Sequence, residues 1–294
     1  MSPTAVGRLA GLVPTGWTRR LPVEVRSALR DRFGLAVPGD LAHRPAPPPT
    51  GPGEVPGPPD VVVVGGASTG ARRWAELLAD HPQATPLGDP DVLSDRFERY
   101  ATEGFGPAEA EAVAACFPRP PGHRTVVWVP DGMVHPWVAP VLVRAAPEVR
   151  VVALVGDPVA GVLADLAQTA ELRPPHPGTW LSDAVDRGYA SEHLARMTSV
   201  LPPERLLVLQ AERCAADPLG QLARTDAFCG LDPAARTGLA GPAPAPAAEQ
   251  WPVAPEVLGR LRELFADEVD RLTALVPDVD VGLWTMTRPP GRAS

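Results

Sequence analysis

VVVVGGASTGARRWAELLADHPQ, residues 61–83, decides the fold. Four consecutive valines form an apolar run too short for a helix and too uniform for a half-exposed strand, so they read as a strand buried on both faces. Glycines and hydroxyl residues follow, then a stretch with helical apolar spacing to Asp80. Gly65 and Gly70 have the spacing of a phosphate-binding loop, in which glycines let backbone N–H groups close on an anion at a helix N-terminus. A complete nucleoside-triphosphate loop would continue with Lys and Ser/Thr; Ala71 and Arg72 stand there instead. Gly65, Gly66, Ser68, Thr69, Gly70, Arg72 and Arg73 are the candidate anion contacts.

The unit recurs downstream. Apolar runs at 125–129, 151–155 and 206–209 are each followed by a helical stretch, at about 135–146, 158–171 and 218–229. Alternating strands and helices predict a three-layer α/β/α fold with a parallel sheet of four to five strands. A longer helix is expected over about 183–201. Another, over 255–275, has Leu258, Leu261, Leu264, Phe265, Val269 and Leu272 on one side. Upstream, residues 21–33 form an amphipathic pattern. Residues 1–44 therefore read as an N-terminal helical arm, 45–59 as a Pro/Gly-rich linker, 60–288 as the folded domain and 289–294 as a disordered tail.

Composition narrows the function. The 294 residues carry a net charge of −8, which argues against a sequence-independent grip on nucleic acid or an anionic membrane surface. With no leader and no span-length apolar run, the expected location is cytoplasmic, without stable membrane association. Cys116, Cys214 and Cys229 are spaced for neither a disulfide framework nor a metal site, and the histidines show no ligand spacing, so no metal is expected. All 27 basic residues are arginine, which removes every mechanism needing a lysine ammonium and points to a high-GC bacterial source.

Four stretches in order resemble the bacterial sulfotransferases related to the heparan N-sulfotransferase domain, which use 3′-phosphoadenosine-5′-phosphosulfate (PAPS). They are the loop segment with its trailing His81-Pro82; VRVVALVGDPVAGVLADL with Asp157-Pro158; the region from Arg187-Gly188-Tyr189 through Glu212 and Asp217-Pro218; and the C-terminal helix to Trp284. The resemblance implies a P-loop-type fold, PAPS as cofactor, a small-molecule or carbohydrate acceptor, and cofactor contacts at Asp157, Arg187 and Tyr189.

It also implies losses. Ser68 occupies the family's loop-lysine position, Ala71 and Arg72 its hydroxyl positions, Gly156 the arginine before Asp-Pro, Ala164 the following serine and Trp128 a second lysine. GPAPAPAAEQW replaces a loop often rich in Lys, Gly and Tyr. The general-base glutamate aligns with Asp89, and His135 is a second catalytic candidate, beside the former acceptor cleft. Three functions follow: a non-catalytic family member serving a protein partner or paralogue; an atypical sulfotransferase using Arg72, Arg73 and Asp89; or another reaction in the acceptor cleft involving Ser68, Asp89, His135 or Trp128. Gly66-Ala67-Ser68-Thr69-Gly70 also fits the hydrolase pattern GxSxG.

Overall fold

The computed structural model describes residues 50–87, 106–130, 132–136, 138–171, 184–239, 241 and 253–287. Four parallel strands, β1 (Val61–Gly65), β2 (Val126–Pro130), β3 (Arg150–Val155) and β4 (Leu206–Gln210), lie in the order β2-β1-β3-β4. Eight helices accompany them among the described residues: α1 (Ala71–Ala79), α2 (Pro107–Ala114), α3 (Val138–Ala145), α4 (Pro158–Glu171), α5 (Ala190–Thr198), α6 (Ala211–Ala216), α7 (Pro218–Cys229) and α8 (Pro255–Leu275).

The period-2 alternation of a strand sorts the core into two faces. Val61, Val63, Val152, Leu154, Leu207 and Leu209 pack against Trp74, Leu77 and Leu78 of α1 and Leu222 and Cys229 of α7. Val62, Val64, Val127, Val151 and Val155 face Leu142 of α3, Leu194 and Met197 of α5, Leu272 of α8 and Trp284. All three cysteines are buried. Burial pushes the Cys214 and Cys229 thiols up to about 12, so both behave as inert apolar groups.

Helix ends follow local chemistry. Asp217 caps α7 by accepting from Gly220 N at 3.1 Å, Pro218 fills its first position, and Gly230 closes it in the left-handed region at φ 71°. The helix expected from 135 begins at Val138. The one expected over 183–201 is broken instead: a short turn at 184–187 gives way at Gly188 and Tyr189 to α5. Gly188 lies against the Phe265 ring so closely that a Cβ would sit 2.5 Å from it, and Glu268 of α8 caps the new helix through Ser191 N at 2.7 Å and Ser191 Oγ at 2.6 Å. Leu264, read as facing the core, is 44% exposed, because it sits about 100° around α8 from the buried Phe265. Residues 50–59 do not hang free: Val55 bridges to Arg119 and Pro58 accepts from Arg119.

The edge of the α1/α7 layer is closed by a buried ion pair. Arg236 meets Asp226 through two bonds of 2.7 and 2.8 Å and donates to the Leu77 carbonyl at 2.9 Å. Arg236→Met strands the Asp226 carboxylate and is expected to lower the unfolding free energy by about 3–5 kcal/mol, while the double change with Asp226→Leu recovers most of that loss. Urea midpoints of the two variants check this.

Candidate functional site

In strand order β2-β1-β3-β4 the chain leaves β1 for one side and returns on the other, so the topological switch lies between β1 and β3, at their carboxyl ends. A crevice of about 50 Å³ opens there, lined by Gly66, Ser68 and Thr69 from the loop, Gly156, Asp157 and Asp165 from the end of β3 and α4, Arg187, and Glu212 after β4. Ligand pockets typically measure ~300–1,000 Å³, so this space suits little more than a small anion or a few waters.

The loop is tightly folded. A side chain at Gly65 would meet Thr69 Oγ1 at 2.8 Å and Ala71 Cβ at 2.9 Å, and Gly70 takes φ 71° as the residue before α1. Thr69 turns inward, donating both its N–H (3.0 Å) and its hydroxyl (2.8 Å) to the Gly66 carbonyl. No side chain caps α1. Ser68 faces Gly161 of α4 across the crevice.

The other wall is acidic. Asp157 accepts from Val159 N and Ala160 N, capping α4, and from Met286 N (2.8 Å), Thr287 N (3.0 Å) and Thr287 Oγ1 (2.6 Å), tying down the C-terminal segment. Glu212 accepts from Asp157 N at 2.9 Å and from the Trp284 indole at 3.3 Å. Burial raises the Glu212 pKa, with the neighbouring Asp157 charge adding in the same direction. Among the described lining residues Arg187 is the one cation, and its Nε lies 2.6 Å from Asp165 Oδ2.

The expected contacts therefore divide. Gly66, Ser68, Thr69, Asp157 and Arg187 line one crevice; Gly65 and Gly70 shape its loop. Arg72 and Arg73 both pair with Glu76 on their own helix, and Arg72 also lies 5.7 Å over the Trp128 ring. Tyr189 packs against Phe265, with ring centroids 5.3 Å apart. His135 occupies the turn between β2 and α3, outside the lining residues, and Asp89 lies outside the described residues. Asp165 and Glu212 carry the crevice's charge without having been singled out for it. Asp157, Gly161 and Asp165 share one face at i, i+4 and i+8, and Glu212 follows the carboxyl end of β4; both are readable signals.

Beside the crevice His193 is buried between two partners. Arg196 can only donate, so Nδ1 accepts from it, and Nε2–H donates to the Asp186 carbonyl at 2.8 Å. Burial, reinforced by the Arg196 charge and opposed by the Asp186 carbonyl, depresses the His193 pKa.

These features define an open parallel α/β protein with a phosphate-loop crevice at its switch point. No family model matches the chain. Its sequence is 27% identical over 189 residues to heparan sulfate glucosamine 3-O-sulfotransferase 6 of Homo sapiens and 25% identical over 191 residues to the Mus musculus protein of that name, each alignment covering 59% of this chain. The chain spans about half the length of these curated relatives, 52% in both cases. Its fold matches a sulfotransferase from Alicyclobacillus acidocaldarius with a TM-score of 0.58 at 18% identity, over 76% of this chain and 98% of that one. The chain is thus similar to sulfotransferases in sequence and shares the fold of one.

Two outcomes follow. Asp157→Ala removes the acceptor for the 286–287 segment, so amide exchange at Met286 and Thr287 should accelerate well beyond that of the sheet. His193 has a folded pKa below its unfolded value of 6.5, so its stabilisation is complete above that pH and is lost as pH falls from there through the folded value. Chemical denaturation between pH 7.5 and 5 should show falling stability that His193→Gln flattens.

Proposed function

We propose that this chain is a sulfotransferase-like protein that no longer holds PAPS as an active enzyme must, and that it serves as a binding or accessory partner to another protein. One observation carries the reading: the crevice where the donor phosphates would sit has a single described cation in its lining, Arg187, and its Nε lies 2.6 Å from Asp165 Oδ2. Sulfuryl transfer develops negative charge on the departing phosphate, and preorganised donors for such charge are each worth about 2.7–4 kcal/mol of barrier. A crevice whose one described cation is already paired with a carboxylate supplies little of that donation.

Several losses reinforce one another. Gly156 leaves the end of β3 without a guanidinium and adjoins Glu212. Ser68 puts a neutral hydroxyl at the family's lysine position. Arg72 and Arg73, the candidate replacements, are both drawn to Glu76. Losing two charge-assisted contacts, even partly additive, costs about 10³-fold or more in rate.

Isothermal titration of the protein with adenosine-3′,5′-bisphosphate, the desulfated donor, tests the proposal. The expected result is no saturable binding in the crevice at millimolar ligand. Micromolar binding there, with sulfate transfer from PAPS to a glucosamine-containing glycan, would instead establish an enzyme of the kind its relatives are named for.

A further inference from the structure

A second cavity lies at the opposite, amino-terminal end of the sheet. It measures about 280 Å³, larger than the crevice, and is lined by Val55, Arg119, Pro120, Gly122, His123, Arg124 and Gly230, with Pro121 between them. Two guanidiniums from the segment before β2 line it, and a third, that of Arg150, lies against Gly230 in its wall. Arg119 precedes β2, and its Nε lies 3.1 Å from Asp60 Oδ2. Arg124 approaches the other oxygen of Asp60 at 3.2 Å. Arg150 opens β3 and donates through Nη1 to the Phe228 carbonyl at the end of α7, 2.6 Å away. Gly230 marks where two of them converge: a Cβ there would stand 2.7 Å from Arg150 Nη1 and 3.6 Å from Arg124 Nη2.

The local charge does not cancel. Arg119 and Arg124 share the Asp60 carboxylate, which is already engaged by Thr125 N (2.9 Å) and Thr125 Oγ1 (3.1 Å), and Arg150 has only the Phe228 carbonyl. Asp226, on the adjoining helix, is matched by Arg236. An excess of two positive charges therefore gathers in a protein whose net charge is −8. Donors are left over too. Arg124 makes one hydrogen bond through Nη1, Arg150 one through Nη1, and Arg119 uses Nε and Nη1. Among the described residues the remaining guanidinium N–H groups have no hydrogen-bond partner, and the half-buried imidazole of His123 lies beside them.

We propose that this cavity is an anion site for a small ligand carrying a tetrahedral oxyanion, a phosphate or sulfate ester. The chemistry follows from the donors: planar guanidiniums offer paired N–H groups at the spacing of oxyanion oxygens, and each charge-assisted bond is stronger than a neutral one. Gly122 and Gly230 keep the cavity open by presenting no side chain. Because Arg124 is partly exposed, the affinity falls as salt screens it. The site is independent of the crevice and stands whether or not that crevice binds a nucleotide.

Titration calorimetry of the full chain at low ionic strength, with inorganic phosphate and inorganic sulfate in separate arms, tests the proposal, and backbone amide shifts locate the site. Saturable binding that moves the Gly122 and Gly230 amides is expected, and the anion bound more tightly identifies the ester class. Arg124→Gln should weaken binding roughly tenfold or more, with an unchanged urea midpoint, while Arg205→Gln, which removes a distant surface arginine paired with Glu148, should leave it alone. No saturable binding of either anion, or equal weakening by both variants, overturns the proposal. Heat from adenosine-3′,5′-bisphosphate that Arg124→Gln abolishes belongs to this cavity; heat that survives belongs to the crevice.

Discussion

The Asp157 carboxylate fixes the geometry of the switch point. It sits where β3 ends and α4 begins, and five donors reach it: two amides of α4, two amides of the C-terminal segment and the Thr287 hydroxyl. An ionised acceptor with so many donors is held by charge-assisted bonds, which are short and costly to remove. The adjoining amide of Asp157 is taken by Glu212, and Glu212 in turn holds the Trp284 indole. The end of β3, the start of α4, the residue after β4 and the C-terminal segment are thereby locked together. Polar groups that in an open α/β crevice face a ligand here face one another.

That arrangement explains why a loop with phosphate-binding spacing adjoins so little space. The glycines do their geometric work: Gly65 admits the return of Thr69 and Ala71, and Gly70 turns the chain into α1. The donors and charges around the loop point elsewhere. Thr69 spends its hydroxyl on Gly66, Arg72 and Arg73 close on Glu76, and Arg187 closes on Asp165. Fold and ligand chemistry have separate requirements. The buried valines of β1 need only their apolar faces to keep the sheet, whereas an anion needs uncommitted cations.

How much could be read in advance depends on the range of the interaction. The bounds of α4, α7 and α8 were legible because Pro158, Pro218 and Pro255 begin them and short polar or glycine signals surround them. The parallel sheet followed from alternation, which left the order of its strands open, and Asp157 was singled out by the family resemblance. The break at Gly188 was not legible, because its cause is the Phe265 ring from a helix far along the chain. The same holds for the pairing of Arg187 with Asp165 across 22 residues and of Thr287 with Asp157 across 130. Leu264 shows a subtler failure: apolar spacing marked it as core, yet it lies just outside the arc that α8 buries.

Charge ties these points together. In a chain without lysine every cation is a guanidinium, a group that seeks carboxylates and carbonyls in fixed geometry. At the carboxyl end of the sheet the one described lining arginine, Arg187, is paired with Asp165. At the amino end Arg119 and Arg124 share Asp60, and Arg150 meets the Phe228 carbonyl. On the reading proposed above, an anion finds uncommitted guanidinium donors at the amino end of the sheet and few at the carboxyl end, where the fold would ordinarily receive it.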